Sequence, residues 1–595
     1  MPDIIIYYFI AFVETSFALS LQLCKRHIPL FEINSFWKII LSKQIMKIPF
    51  FLLIFCLTQS FIYVSAYSES GKNCLRIPID IQLKDLDPGY IFSETSIELS
   101  ENLFIGLTEV EFKNSICKAI PDLAEKWTLH ENDTVYRFYL RKDVFWTKGI
   151  TGQKQAPVTA HDIVWAIRRN INPKTDAPYA FVLYILKNAE NIHTGKLKNI
   201  SKIGVKAIDD YTVEFRLKHA AAYFPYLLSL WIFRPLPKET INKWKNKWTE
   251  PEHILSNGPF ILKEWQKRKK IVLEKNPHFY NENQVSLSEI HFIIVQESFA
   301  GLHLYIENKL DVLGDGFLSL PLEKIPGIIK SDTYKNEFVS VPKLSGYSYL
   351  LNTLKPPLNN PLVRRALSLS INRKQLTVII TRCGEQAAKT FTPPSLFDIS
   401  DIYSEKDFGI DFDPNKAKAL LKQAGFPDGK NLPEITFLHS ISENHFLIAT
   451  AIQTFFKHYL NVSLKIEAKD WDEYNDIIFQ SDRSKAPHIT CLRWGSDYPD
   501  AYNWLNDAFL YAQGFTFWNN INFNQLVEKA SRISNRNKRN NLYKKAEKIL
   551  VFDEAVIIPL FFETGKYLIK PEIKQSSFTP ICGQQLMRWK FGLNK

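Results

Sequence analysis

The chain has 595 residues, 46% apolar and 23% charged, which is enough to bury a large core in more than one folded unit and excludes a disordered chain. Its formal charge is +12, but 74 basic and 62 acidic residues are interleaved along the whole length, and no RNA-binding or zinc-finger signature accompanies the excess. The basic surplus is therefore a solvated face, and no nucleic-acid partner is expected. The seven cysteines, at 24, 56, 74, 117, 383, 491 and 582, form no CxxC and no CxxC with HxxxH pairing, so they predict neither a structural metal site nor a disulfide framework.

In chain order, residues 4–23 are apolar but interrupted by Glu14, and a second start-like segment follows at Met46 and Lys47. The run IPFFLLIFCL, a polar break and then Val64, Ser65 and Ala66 predict a signal peptide over 46–66 with cleavage after Ala66. Residues 1–45 are then an extra hydrophobic N-terminus, or no part of the native chain if Met46 is the initiator. The rival reading of the apolar run is a membrane anchor. A lipoprotein is disfavoured because bulky Phe55 precedes Cys56 and Asn73 precedes Cys74.

Beyond Ala66, alternating segments at 134–140 (TVYRFYL) and 212–217 (TVEFRL) predict strands. The basic run at 267–270 sits where a hairpin turn or a strand end is expected before the alternating segment that starts at Ile271. Asp413, Pro414 and Gly425 bracket an amphipathic helix as N-cap, first-turn proline and C-terminal glycine. The result is a mixed α/β chain with no linker or repeat that cuts it into independent beads. The sequence carries no convincing P-loop, HExxH, GxSxG, SxxK or dinucleotide fingerprint, and the partial glycine pattern at Gly314 and Gly316 marks a turn. No catalytic residue, metal ligand or cofactor is assigned.

Landmarks in register carry a resemblance. They are Leu86-Asp87-Pro88; 102–108 (NLFIGLT); 121–127 (PDLAEKW); 138–162 from Phe138 through Trp146 to VTAHD; 204–217 (GVKAIDDYTVEFRL); 256–260 (SNGPF); and 352–373 with PPLNNPLVRRALSLSINR. In this order the chain resembles the extracytoplasmic solute-binding proteins of family 5 from about residue 72 to 595. Thr147 and Lys148 depart from that pattern, and an insertion follows Gly149. The resemblance implies a two-lobed, type II-like periplasmic-binding-protein clamshell with an extra domain beside lobe I. Lobe I takes 67–104, 238–344 and 565–595, the extra domain 105–237, and lobe II 345–564. It further implies a monomer in the periplasm that binds short peptides and hands them to the inner-membrane permease of an ABC importer, with no enzymatic activity.

A receptor for varied peptides uses what all peptides share: backbone, ammonium and carboxylate. By resemblance, Asp497 in RWGSDYPD pairs with the ligand ammonium, Trp494 lines the cleft, and the backbone of Arg493 and Gly495 pairs with the peptide. Trp471 after Asp470 is a pocket wall, Tyr179 in APYA faces the ligand from the extra domain, and His445 lies near the ligand carboxyl end. Cys491 stands where the family's peptide binders carry a carboxyl-end arginine, and Phe92 replaces a glutamate of a ligand-facing loop. These departures leave open a specialised ligand such as a cell-wall peptide, a metal chelate or haem, and, from another class, an extracytoplasmic hydrolase.

Overall fold

A computed structural model of the chain describes residues 73–592 apart from 81–85, 114–115, 400–407, 481 and 483–484. The expected signal peptide at 46–66, the stretch 1–45, and Cys24 and Cys56 lie outside the described residues. No helix among the described residues is long and apolar enough to cross a membrane.

The first described strand, Cys74–Ile79, pairs in parallel with Glu289–Ile294, which continues antiparallel into Lys270–Lys275 and Phe260–Gln266. The last two form the hairpin foreseen at the basic run, with Arg268 at φ 67 in its turn. Residues 75, 77 and 79 are fully buried, whereas Arg76 between them is paired on the other face, as strand alternation requires. Beside this sheet lies a four-stranded antiparallel sheet in the order Ala124–His130, Val135–Leu140, Thr212–Arg216, Val205–Asp209. Helix Ala160–Ile171 packs its apolar stripe (Ile163, Val164, Ile167, Ile171) inward after a capping box between Thr159 and Asp162. One continuous core joins both sheets, from Leu75 through Phe317 to Leu586 and Trp589.

A second core, mainly Leu344 to Phe561, surrounds a larger sheet. Its main order is Val312–Gly314, Ile557–Ile569, Phe338–Leu351, Ile489–Gly495, Ile435–Ser440, Leu464–Lys469. The helix Glu443–Leu460 connects two parallel strands, Ile435–Ser440 and Leu464–Lys469, as a crossover connection must. Ser442 caps its start and Asn461, at φ 56, ends it. The predicted helix appears as Pro414–Gln423, with Asp413 accepting from Lys416 N at 2.9 Å and Gly425 at φ +95 just past its end.

Two long strands tie the molecule together. Phe338–Leu351 and Ile557–Ile569 run antiparallel from Phe338 opposite Leu568 to Leu350 opposite Ile557. Phe338 and Leu568 belong with a small third core around Tyr305 and Leu313, while residues from Leu344 onward and Ile557 to Phe561 sit in the second core. Tyr223 of the first core stacks on Tyr498 of the same core at 5.8 Å and, at 4.7 Å, on Tyr502, which packs against both larger cores.

Candidate functional site

The site is built on the strand Ile489–Gly495. One edge is fully paired with Phe338–Leu351, from Ile489 opposite Leu351 to Gly495 opposite Ser345. On the other edge the strand Ile435–Ser440 reaches only Ile489 and Thr490. Residues 491–495 therefore present an edge with no strand partner among the described residues. Ser496 N donates to Leu344 O at 2.8 Å, and antiparallel alternation then turns the backbone groups of Trp494 and Leu492 the same way and those of Gly495, Arg493 and Cys491 toward the bare edge. The Cys491 carbonyl accepts from the Tyr474 hydroxyl at 3.4 Å, on that outer side.

The chain then turns through Ser496 and Asp497. Ser496 is buried and accepts from Trp504 Nε1 at 2.7 Å, which anchors the turn. Among the described residues, Asp497 receives two long contacts, from the Tyr179 hydroxyl at 3.5 Å and Asn503 Nδ2 at 3.4 Å. Both are at the weak limit of hydrogen bonding. Burial pushes its carboxyl up to about 6, nearby Asp507 adds to the rise, and the Asn503 and Tyr179 bonds oppose it. The other acids of the segment are satisfied: Asp507 accepts from Tyr498 at 2.6 Å and Asn503 at 3.2 Å, and Asp500 pairs with Arg539 at 3.1 Å. Asp497 is thus the acid of this turn with room for a cation.

Asp497, Gly495, Tyr179, Trp231 and Phe92 line a cavity of about 280 Å³. Tyr179 packs edge-on against Trp231 at 4.9 Å, so residues of the first core face the turn of the second. Phe92, 63% exposed, stands at this cavity's wall.

A second cavity, about 640 Å³, is lined by Arg493, His445, Tyr347, Glu563, Asp315 and Lys566 among others. Since Arg493 is two residues before Gly495, the two cavities flank one bare strand edge. Glu563 grips Arg493 Nε through both oxygens, at 2.8 and 2.9 Å. Lys566 pairs with Glu385 at 2.8 Å. His445 Nδ1 lies 2.6 Å from the Tyr347 hydroxyl and 3.9 Å from Cys491 Sγ. Burial, then His439 and Arg493, push the imidazole down to about 4, so it is neutral near pH 7.

Among the residues singled out in the sequence, the structure places Asp497, Tyr179 and Gly495 on the first cavity and Arg493 and His445 on the second. Trp494 and Trp471 line neither. Trp494 donates Nε1 to Asn503 at 3.1 Å, which orients the amide that reaches Asp497. Trp471 opens the helix Trp471–Ile478, stacks on Tyr474 at 5.9 Å and is 62% exposed. Sequence reading missed Glu563, Tyr347 and Trp231, none of which carries a local signal.

Two cores tied by paired strands, with a bare strand edge flanked by two cavities and an under-satisfied carboxylate at its end, define a clamshell solute-binding protein. The family model of the bacterial extracellular solute-binding proteins, family 5 (middle), matches residues 118–515, and the chain belongs to that family. It is 30% identical over 530 residues to the periplasmic oligopeptide-binding protein OppA of Salmonella typhimurium, covering 86% of this chain and 93% of that protein. Among solved structures it is similar to the unliganded open form of the murein tripeptide binding protein MppA, with TM-score 0.74 and 27% identity over 88% of this chain and 98% of that one. It is also similar to Haemophilus influenzae OppA in complex with RPPGFSPFR, with TM-score 0.66 and 26% identity over 88% of this chain and 99% of that one.

Proposed function

We propose that the chain is the extracytoplasmic receptor of an ABC peptide importer, closing two lobes on a short peptide and delivering it to a membrane permease. The observation that carries this reading is Asp497: a part-buried carboxylate with two weak contacts, at the end of a strand whose outer edge is bare. A ligand ammonium supplies the missing counter-charge, and the backbone groups of Gly495 and Arg493 extend the sheet by one strand. The peptide then runs from Asp497 past Gly495 and Arg493 toward His445. Trp494 and Trp471 complete the walls when the lobes close.

Lobe I is assigned to 67–104, 238–344 and 565–595, the extra domain to 105–237, and lobe II to 345–564. The boundaries at 344 and 564 fall inside the two long paired strands, where a small change in twist rotates one lobe on the other. The greater similarity to an open, unliganded relative than to a peptide complex supports an open starting state. The protein acts as a monomer outside the cytoplasm and is not an enzyme; its relatives are named for binding. Native mass spectrometry of the exported protein tests the reading: co-purified peptides, displaced by added free-amine peptides, are expected. A protein that carries no peptide and takes up none from a mixed peptide pool contradicts it.

A further inference from the structure

We propose that Cys74, Glu289 and His291 form a binding site for one zinc-class divalent cation, on the sheet face turned away from the core. Their ligand atoms, one thiol sulfur, one carboxylate oxygen and one imidazole nitrogen, all lie within 4.8 Å of one another. Strand register creates the cluster. Cys74 stands directly opposite Glu289 in the parallel pair Cys74–Ile79 and Glu289–Ile294, and His291, two residues on, shares the face of Glu289. Leu75 and Ile77 of one strand, with Ile290 and Phe292 of the other, fill the opposite face.

The donor set is a borderline-soft one. A thiolate, an imidazole and a carboxylate suit zinc, whereas magnesium and calcium take oxygen ligands. Bond lengths of about 2.3 Å to sulfur and about 2.0 Å to nitrogen and oxygen put tetrahedral ligands roughly 3.5 Å apart, which small side-chain rotations of this cluster reach. Glu289 and His291 already converge, with Nε2 to Oε2 at 2.7 Å. Cys74 is 5% exposed and free of any disulfide. Burial, then Glu289 and Asp311, push its thiol up to about 12, so it is neutral until a cation displaces its proton to solvent.

Among the described residues, the neighbouring charges of the sheet are paired with one another rather than with this trio. Arg76 is held by Asp311 through contacts of 2.6 and 3.0 Å. On the neighbouring strands Glu274 pairs with Lys263 and Glu264 with Lys270, each at 2.8 Å. Three protein ligands leave a fourth position for water. A cation held there clips the first described strand onto Glu289–Ile294, far along the chain, and its effect is stabilisation of that edge rather than ligand capture.

Cobalt(II) titration of the reduced, metal-stripped exported protein tests the site. A thiolate-to-cobalt charge-transfer band saturating at one equivalent and displaced by zinc is expected. The band is lost in Cys74→Ser, persists in Cys491→Ser, and requires about tenfold or more cobalt in Glu289→Gln or His291→Gln. Zinc raises the melting temperature of the parent protein but not of Cys74→Ser. No band in the parent, or a band that survives Cys74→Ser, overturns the proposal. Peptide binding by the variants confirms their fold independently.

Discussion

The environment of Asp497, the proposed anchor of the peptide ammonium, disfavours its charge and so costs stability near neutral pH. Its carboxyl is raised from 3.8 to about 6 because burial disfavours the charge. In the proposed binding mode a peptide ammonium reverses that preference, so that the bound state favours the ionised acid. Affinity for free-amine peptides is expected to fall as pH drops from 7 through 6 to 5, while N-acetylated peptides bind weakly and without that dependence; calorimetry across this range measures both. The segment RWGSDYPD singles the residue out only through the family resemblance, since by itself an acid two residues before Pro499 reads as a turn former. Its lack of strong partners was not legible, because Tyr179 lies 318 positions away and Asn503 only acquires its role once Trp494 orients it. Glu563, which neutralises Arg493 from 70 residues downstream, has no local signature either. His445 was read as a ligand-end residue, and its burial with His439 and Arg493 nearby holds it neutral.

At the level of elements, the hairpin at the basic run and the helix Pro414–Gln423 could be read because their signals are local: alternation, caps and a terminal glycine. The bare edge of Ile489–Gly495 could not, because it depends on where Ile435–Ser440 stops pairing. The same limit applies to Cys74 and Glu289. Sequence spacing gave no reason to join them, and a parallel register placed them opposite each other. If residues 493 and 495 extend the sheet onto the ligand, each ligand amide facing them contributes about 1 kcal/mol. N-methylating a single amide of a bound peptide is then expected to weaken binding roughly five- to tenfold at the positions facing Arg493 or Gly495 and little elsewhere. Equal losses at every position, or none, in a methylation scan contradict the strand-addition geometry.

For the whole molecule, two lobes joined by a pair of long strands imply motion with ligand. The radius of gyration from X-ray scattering is expected to shrink on saturating peptide, since contacts from both cavities form together only in the closed state. Identical profiles contradict closure. Stability has a pH signature of its own. Burial raises Glu98 to about 8, Asp122 to about 7 and Glu547 to about 7. The native state therefore keeps protons that the unfolded chain releases above about pH 4.5, so these groups stabilise the fold most at low pH and their contribution falls as pH rises toward 8. His445 has the opposite sign, its depressed value making stability rise with pH between about 4 and 6.5. The melting temperature is accordingly expected to decline from pH 6.5 to 8.5, and less steeply in Glu98→Gln, whose amide oxygen keeps an acceptor for one of the two backbone N–H groups of Gly583 and Gln584. A rise over that range, or an unchanged slope in Glu98→Gln, contradicts the assignment of these acids.

The central claim is that Asp497 is the counter-ion of the peptide ammonium, and a calorimetric double cycle tests it most directly. Parent protein and Asp497→Ala are each titrated with a free-amine peptide and its N-acetylated form. Removing the carboxylate strands a desolvated ammonium, a loss on the order of 3 to 5 kcal/mol, or roughly a hundredfold or more in affinity. Acetylation alone is expected to cost about as much, and the two changes together less than their sum, because each removes one side of the same pair. Equal affinities of Asp497→Ala and parent for both peptides would contradict the account.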